Sequence, residues 1–127
     1  MILRRPKINF KDKRGVIKDI FYKKNINHVA IIRSKAGVRR GDHYHKKTTQ
    51  YMYITKGSLE YWYKKLGSKI KPKKKLLKEG DLIETPPKEM HALKIVKDNE
   101  FFVFTTGKRG GKDYESDTFR FKTTLIK

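Results

Sequence analysis

The chain has 127 residues, enough for one domain with a single hydrophobic core and too few for two comfortable ones. It contains no cysteine, which excludes disulfides and also excludes zinc or redox sites built on thiolates. Its 33 lysines and arginines outnumber 13 acidic residues, and the net charge of +20 attracts phosphates, nucleic acids and anionic membranes.

No apolar run is long enough for a signal peptide or for the roughly 20 residues of a membrane span. We therefore expect a cytoplasmic protein without a membrane span. Most of the positive charge is lysine, the usual residue of a solvated surface, whereas phosphate and base recognition favours arginine. We interpret the charge as a lysine-rich surface and expect no specific nucleic acid. A nucleotide-type substrate and non-specific polyanion binding stay open as alternatives.

Strand signals run through most of the chain. We predict strands at residues 7–10, 16–22, 28–34, 50–55, 58–63, 81–84, 91–96 and 100–106. We predict turns at residues 12–15 and 25–27, a hairpin turn at Lys56-Gly57 and another turn at Asp98-Asn99. No segment has a sustained helical period, so the pattern predicts an all-β sandwich or barrel.

Two segments fall outside this strand series. Residues 64–78 consist mainly of lysine and predict a long solvated connection, without the interleaved aromatics of a nucleic-acid site. A glycine-rich stretch at 107–111 ends the series, and the tail after it packs on the barrel or on a second subunit. We expect one domain over residues 1–127, with a core at about 8–106 and a tail at 107–127.

Three of the four histidines form a pattern that suits a site. His43 and His45 are two residues apart in a β segment, so their imidazoles point to the same face. His91 follows a Pro-Pro turn far downstream. We interpret His28 as a strand-edge histidine with satisfied hydrogen bonds, and Trp62 as a packing residue or a dimer contact.

The spacing of two residue sets resembles the two motifs of the cupin family: Gly37-x5-His43-x-His45-x4-Gln50-x6-Gly57 and Gly80-x5-Pro86-x4-His91. The chain departs from the motifs at Gln50, where they have Glu, and at Lys88 and Ile95, where they have Gly and Asn. The resemblance implies a single-domain cupin, a double-stranded β-helix or jelly-roll barrel that holds one small ligand in its mouth. It also implies a homodimer.

The same residues form a candidate metal set of His43, His45, Gln50 and His91. Three imidazoles and an amide oxygen are suited to Zn, Fe, Mn or Ni. A neutral amide in place of a carboxylate weakens the attraction for a divalent ion. We therefore expect either no cofactor or one weakly bound divalent transition metal in the barrel mouth.

A narrower resemblance lies in the segment Arg39-Arg40-Gly41-Asp42-His43-Tyr44-His45-Lys46, followed by Gln50. It is similar to the core of dTDP-sugar 3,4-ketoisomerases, and Phe10-x-Asp12-x-Arg14-Gly15 also resembles the start of dTDP-4-keto-6-deoxyglucose epimerases. Tyr44 and Met90 depart from the ketoisomerase pattern. Tyr44 is instead similar to the cupin domain of bifunctional capsule-sugar reductases, which binds a metal and acts on nucleotide sugars. The ketoisomerase resemblance implies that the histidine pair transfers protons.

Moving a ketone between neighbouring sugar carbons needs a base and an acid, and histidine titrates near neutrality and suits both roles. We therefore predict His43 and His45 as the proton-transfer pair, without assigning which is the acid. Tyr61 or Tyr63 is a candidate phenol for the oxyanion, with packing in the barrel core as the alternative.

Four basic residues are candidates for substrate binding. Arg33, Arg39 and Arg40 are suited to a diphosphate because guanidinium groups bind phosphate in a fork, with an ordinary surface position as the alternative for each. Lys46 joins them because it belongs to the ketoisomerase-like pattern.

These observations support three hypotheses about function. The first is an enzyme that isomerises or epimerises a nucleotide-linked 4-ketosugar by acid–base proton transfer in surface-polysaccharide biosynthesis. The second is a metal-binding cupin with another small-molecule activity. The third is a non-catalytic module that binds a sugar, a metal or a partner protein, because the fold alone does not decide between chemistries.

Overall fold

The β-branched and aromatic runs of the chain form ten strands in the computed structural model, which describes residues 1–107, 111–113 and 116–127. The strands are β1 (Ile2–Arg4), β2 (Ile8–Asp12), β3 (Gly15–Lys18), β4 (His28–Ser34), β5 (Arg39–Tyr44), β6 (Gln50–Lys65), β7 (Lys73–Lys78), β8 (Leu82–Thr85), β9 (Glu89–Thr105) and β10 (Phe119–Arg120). A short 3₁₀ helix spans Gly111–Asp113. Within the described ranges, no helix has the length and apolar character needed to cross a bilayer.

The two long strands β6 and β9 belong to both sheets of the barrel. They pair antiparallel along almost their whole lengths, from Gln50 opposite Thr105 to Lys65 opposite Glu89. The first half of β6 and the second half of β9 join β1, β8 and β4 in sheet I. The other halves join β7, β5 and β10 in sheet II. This connectivity is a jelly-roll barrel and confirms the predicted all-β fold.

The core lies between the two sheets, because every second residue of a strand faces inward. Its members come from both halves of the long strands and from β7 and β8: Met52, Ile54, Leu59, Tyr61, Leu77, Ile83, Leu93, Ile95, Phe101 and Val103.

The hairpin turn predicted at Lys56-Gly57 is wrong, because these residues lie inside the continuous strand β6. The pairing of β6 with β9 shifts register here, and such irregularities bend a strand from one sheet into the next. The turn predicted at Asp98-Asn99 is wrong for the same reason, since it lies inside β9. Gly57 has a φ of 74°. A Cβ there would lie 2.2 Å from the carbonyl oxygen of Asp98, so the bend requires glycine.

Residues 64–78 contain a strand that their lysine content concealed. β7 pairs with β6 from Ser58 opposite Lys78 to Tyr63 opposite Lys73, and Leu77 is fully buried in the core. The long connection predicted here is therefore wrong for its second half. Within the described sheets, β7 is an edge strand that pairs only with β6. Edge lysines discourage pairing with another chain, which gives part of the +20 charge a structural role.

β2 and β3 form a separate two-stranded sheet beside the barrel. The second predicted strand, at residues 16–22, ends earlier than expected, at Lys18. About half of the surface of each large apolar side chain of this hairpin is exposed: Ile8, Phe10, Val16 and Ile17.

The C-terminal tail closes one side of the barrel. Phe119 and Arg120 of β10 pair with Tyr44 and His43 of β5. Leu125 and Ile126 are buried with Trp62 and Ala92, which makes Trp62 a packing residue. The tail therefore packs on its own barrel. The predicted glycine-rich stretch and tail include residues 108–110 and 114–115. These positions lie outside the described residues.

Asp117 fastens this tail to the turn after β5. Its carboxylate accepts hydrogen bonds from the backbone amides of Lys46, Lys47 and Thr48 at 3.0, 2.9 and 2.9 Å. Burial raises the pKa of the Asp117 carboxyl, but the hydrogen bonds from these residues outweigh burial and hold the pKa below its usual value of 3.8.

We predict that Gly57→Ala lowers the free energy of unfolding by about 3 kcal/mol. A left-handed alanine costs about 1–2 kcal/mol, and displacing the Asp98 carbonyl adds a comparable amount. Gly67→Ala is the matched control, because its φ is 81° and a Cβ there would meet nothing within 4 Å. Urea unfolding should show the smaller loss for the control, and equal losses would contradict the bend.

We predict that Asp117→Asn lowers the free energy of unfolding by about 1–2 kcal/mol at neutral pH, because charged hydrogen bonds to the turn are lost. The lowered pKa means that the wild-type contribution is present above pH 3.8 and disappears as the pH falls through the folded-state pKa.

The control is Glu79→Gln, which alters an exposed carboxylate and should stay near wild-type stability throughout. Chemical unfolding between pH 7 and pH 3 should show the wild type and Asp117→Asn converging in stability. A constant gap between the two would show that Asp117 does not fasten the tail.

Candidate active site

A β-bulge in β5 aims His43 into the barrel. Gly41 and Asp42 have φ values of 91° and 56°, and the register with β9 shifts by one residue before His43. A Cβ on Gly41 would lie 2.8 Å from the carbonyl oxygen of His91, so glycine allows the two strands to approach. Beyond the bulge, His43 pairs with His91.

The structure brings the three predicted histidines together. The ring centroid of His43 lies 5.0 Å from that of His45 and 4.6 Å from that of His91, and the other pair is 5.4 Å apart. One ring nitrogen of each residue lies within 4.8 Å of the other two. His45 and His91 are both 2% exposed, so the group is shielded from bulk water.

Backbone carbonyls fix the tautomers of two of these rings. Nδ1 of His45 lies 2.8 Å from the carbonyl oxygen of Asp117, and Nδ1 of His91 lies 3.0 Å from that of Glu89. Because a carbonyl oxygen only accepts, each Nδ1 carries a proton and donates. In the neutral ring Nε2 then holds the lone pair, which can take a proton or bind a metal.

A cavity of about 240 Å³ lies beside the histidines. Its polar lining includes His43, His91 and Gln50, and its apolar wall includes Ile32 and Phe101. This volume is below the roughly 300–1,000 Å³ of typical small-molecule pockets. The cavity therefore accommodates one sugar-sized group and leaves the rest of a larger ligand outside.

Three arginines line this cavity: Arg39, Arg40 and Arg120. Arg40 is held by its Nε, which donates to the hydroxyl of Ser34 at 2.7 Å. Arg120, with Thr118 of the same tail, was missed by sequence reasoning. Arg120 reaches the cavity because it pairs with His43, and its strand, β10, has only two residues. A strand this short has no alternating sequence pattern that could predict it.

Two of the predicted substrate-binding residues do not line the cavity. Arg33 lies on the exposed face of β4, and its Nε donates to Glu100 at 2.7 Å. Hydrogen bonds from Arg33 and then Thr55 lower the pKa of the Glu100 carboxyl. The ammonium group of Lys46 lies 4.3 Å from the ring centroid of Phe119, beside a different hollow.

The structure does not bring the predicted phenols of Tyr61 and Tyr63 to this cavity, because neither side chain lines it. Tyr61 is fully buried, and its hydroxyl is hydrogen-bonded to Thr85 at 2.5 Å and Glu89 at 2.9 Å. Burial and the charge of Glu89 raise the pKa of Tyr61 well above 10.0, so the phenol stays neutral. Its ring stacks on that of His91, with centroids 6.1 Å apart. Both tyrosines pack in the barrel.

His28 begins the edge strand β4, as predicted. Its Nδ1, however, is buried and has no hydrogen-bond partner among the described residues.

The comparisons with known proteins show the family and the fold. Residues 10–119 match the family described as the polysaccharide biosynthesis C-terminal domain. No protein of curated function matches significantly.

Solved structures give the fold independently. A dTDP-4-dehydrorhamnose 3,5-epimerase from Sulfolobus tokodaii superposes with a TM-score of 0.80 at 22% identity, covering 98% of this chain and 78% of that one. A sugar 3,4-ketoisomerase from Thermoanaerobacterium thermosaccharolyticum, in complex with TDP, gives 0.75 at 21% identity, covering 94% and 86%. A 3,4-ketoisomerase from Helicobacter canadensis gives 0.76 at 16% identity, covering 94% and 89%. The chain has the predicted cupin jelly roll and belongs to the polysaccharide biosynthesis C-terminal domain family.

Proposed function

We propose that the protein isomerises or epimerises a nucleotide-linked 4-ketosugar by acid–base proton transfer in polysaccharide biosynthesis. The observation that carries this proposal is the cluster of three imidazoles, of which His43 and His91 line a small cavity that three arginines also line, while His45 lies directly behind them. The family match and the likeness to sugar-nucleotide epimerases and ketoisomerases support the same chemistry.

The imidazoles are suited to removing and returning a proton next to a ketone. One Nε2 takes the proton from the carbon beside the ketone, and the electron pair moves to the ketone oxygen. A neighbouring imidazolium then returns a proton. In an isomerisation this proton goes to the former ketone carbon, and the hydroxyl proton of the neighbouring carbon passes to the enolate oxygen, so that the ketone reforms next door. In an epimerisation it goes to the opposite face of the carbon that lost the first proton. Rings whose centroids lie about 5 Å apart disfavour double protonation, which favours one base and one acid.

The arginines are suited to the nucleotide part of the substrate. Guanidinium groups bind phosphate oxygens in a fork, and Arg39, Arg40 and Arg120 supply three of them. The cavity holds about one sugar ring, so the diphosphate and base lie toward the outside. The net charge of +20 raises the local concentration of such anions.

We predict that His43→Asn and His45→Asn each lower the rate of proton exchange by about 10²–10⁴-fold, the usual contribution of a general acid or base. The measurement is deuterium incorporation from solvent into dTDP-4-keto-6-deoxyglucose, followed by NMR. Binding of TDP should stay within a few-fold of wild type.

Two arginine variants control the assignment of the phosphate site. Arg40→Ala should weaken TDP binding by at least tenfold, whereas Arg33→Ala should not, because Arg33 lies outside the cavity and pairs with Glu100. If the wild type binds the sugar nucleotide without exchanging its protons, the protein is a binding module and the proposal is wrong.

A metal-dependent cupin activity on another small molecule is the second candidate. It is favoured by the three imidazole nitrogens within 4.8 Å of one another, a suitable set for Zn, Fe, Mn or Ni. The fourth predicted ligand fits less well, because the amide oxygen of Gln50 is neutral and attracts a divalent ion less than a carboxylate does. Bound there, a metal would act as a Lewis acid on a ligand oxygen, with the histidines holding it.

We also propose a cytoplasmic homodimer of one cupin domain over residues 1–127. Val29 and Ile31 are about half exposed on the outer face of β4, as are Phe10 and Ile17 on the β2–β3 hairpin. An isolated hairpin is marginally stable in water, so a second copy covering it adds the missing contacts.

We predict that the double change Ile17→Lys and Ile31→Lys turns the dimer into a monomer, as measured by analytical ultracentrifugation. Ile70→Lys is the control, because Ile70 is 68% exposed on the loop before β7. A monomeric wild type would rule out this part of the proposal.

A further inference from the structure

A row of polar side chains crosses sheet I next to the cavity. His28 on β4 stands opposite Thr105 on β9, Thr105 opposite Gln50 on β6, and Gln50 opposite Thr85 on β8. Residues directly opposite one another share a face of the sheet. The residues two positions away on β9, β6 and β8 belong to the core cluster, so the polar row points into the barrel.

Three atoms of this row are buried and have no hydrogen-bond partner among the described residues: Gln50 Oε1, Thr105 Oγ1 and His28 Nδ1. Thr85 differs, because its hydroxyl is bonded to Tyr61. A buried polar atom without a partner costs about 1–3 kcal/mol. A buried water requires two to four polar partners. These three atoms lie on neighbouring strands about 4.8 Å apart, so together they can supply that number.

The carboxamide of Gln50 connects this row to the cavity. Gln50 lines the cavity although it is only 7% exposed, and its Oε1 is buried. The oxygen and nitrogen of a carboxamide diverge from one carbon. Because the oxygen is buried among the core side chains, the nitrogen is the polar atom that Gln50 presents to the cavity.

We propose that a water shared with Thr105 and His28 holds the Gln50 oxygen in the barrel, so that the Gln50 N–H donates to the ketone oxygen of the ligand. Thr105 and His28 are then positioning residues. This inference rests on the proposed ketosugar chemistry for its catalytic consequence, and on the burial of Oε1 for the orientation.

The donor acts where negative charge develops. When a base takes the proton beside the ketone, the electron pair moves to the ketone oxygen, which accepts the Gln50 N–H more strongly. One such donor is typically worth about 10²–10³ in rate. A carboxylate at position 50 would repel this oxygen and would offer a ligand to a metal. In this proposal Gln50 acts as a hydrogen-bond donor, whereas the sequence suggested it as a metal ligand if a metal is bound.

Gln50→Glu separates donating from accepting, because near neutral pH it keeps the side-chain size and the accepting oxygen but replaces the NH₂ group with a second oxygen. We expect deuterium incorporation into dTDP-4-keto-6-deoxyglucose to fall by about 100-fold or more, with TDP binding unchanged. Thr105→Val, which removes the anchoring hydroxyl and keeps the shape, should lose about tenfold. The exposed Thr123→Val is the control and should match wild type. Retained exchange in Gln50→Glu would overturn the inference.

A second measurement does not depend on turnover. In ¹⁵N-labelled wild type, the Gln50 side-chain amide protons should exchange readily with water and become protected when dTDP-4-keto-6-deoxyglucose is added. Protection already present in the free protein would place the nitrogen in the barrel and overturn the inference. A wild type without carbon-proton exchange would sink the proposed function, while the amide protons would still decide the orientation of Gln50.

Discussion

The pairing of β6 with β9 is the constraint on which the rest of the structure depends. Each strand starts in one sheet and ends in the other, so one continuous ladder aligns both walls of the barrel. The bend needs glycine at position 57, where any Cβ would collide with the carbonyl of Asp98. A slip of one residue would turn the core face of both sheets outward, which makes this register the source of the site geometry.

The site follows from that register because its two halves come from different sheets. His43 and His91 pair in sheet II, and Gln50 pairs with Thr105 in sheet I. The tail then adds Arg120 and the carbonyl that fixes His45. Imidazoles, neutral polar groups and guanidinium groups thus line different parts of one small cavity, an arrangement suited to a neutral sugar ring attached to a diphosphate.

Much of the fold and of the histidine cluster could be predicted from the sequence. The alternation of apolar and polar residues and the spacing of the motifs indicate which face of a strand each side chain lies on. The His43–His45 pair followed from strand spacing, and His91 joined it through the resemblance to the cupin motifs. The predicted turns at Lys56-Gly57 and Asp98-Asn99 were wrong because a bend within a strand uses the same residue types as a hairpin turn. Arg120 could not be found, because its place depends on tail pairing. The burial of Tyr61 and the unpaired atoms of the polar row depend on neighbours across the sheet.

The central claim is that the clustered histidines transfer protons as a base and an acid and do not hold a catalytic metal. Its most direct test is the metal content of protein purified without a histidine tag, with deuterium exchange measured before and after chelation. The account predicts far less than one metal per chain and an exchange rate that chelation leaves unchanged. One tightly bound transition metal per chain, with exchange lost on its removal and restored on its return, would contradict it.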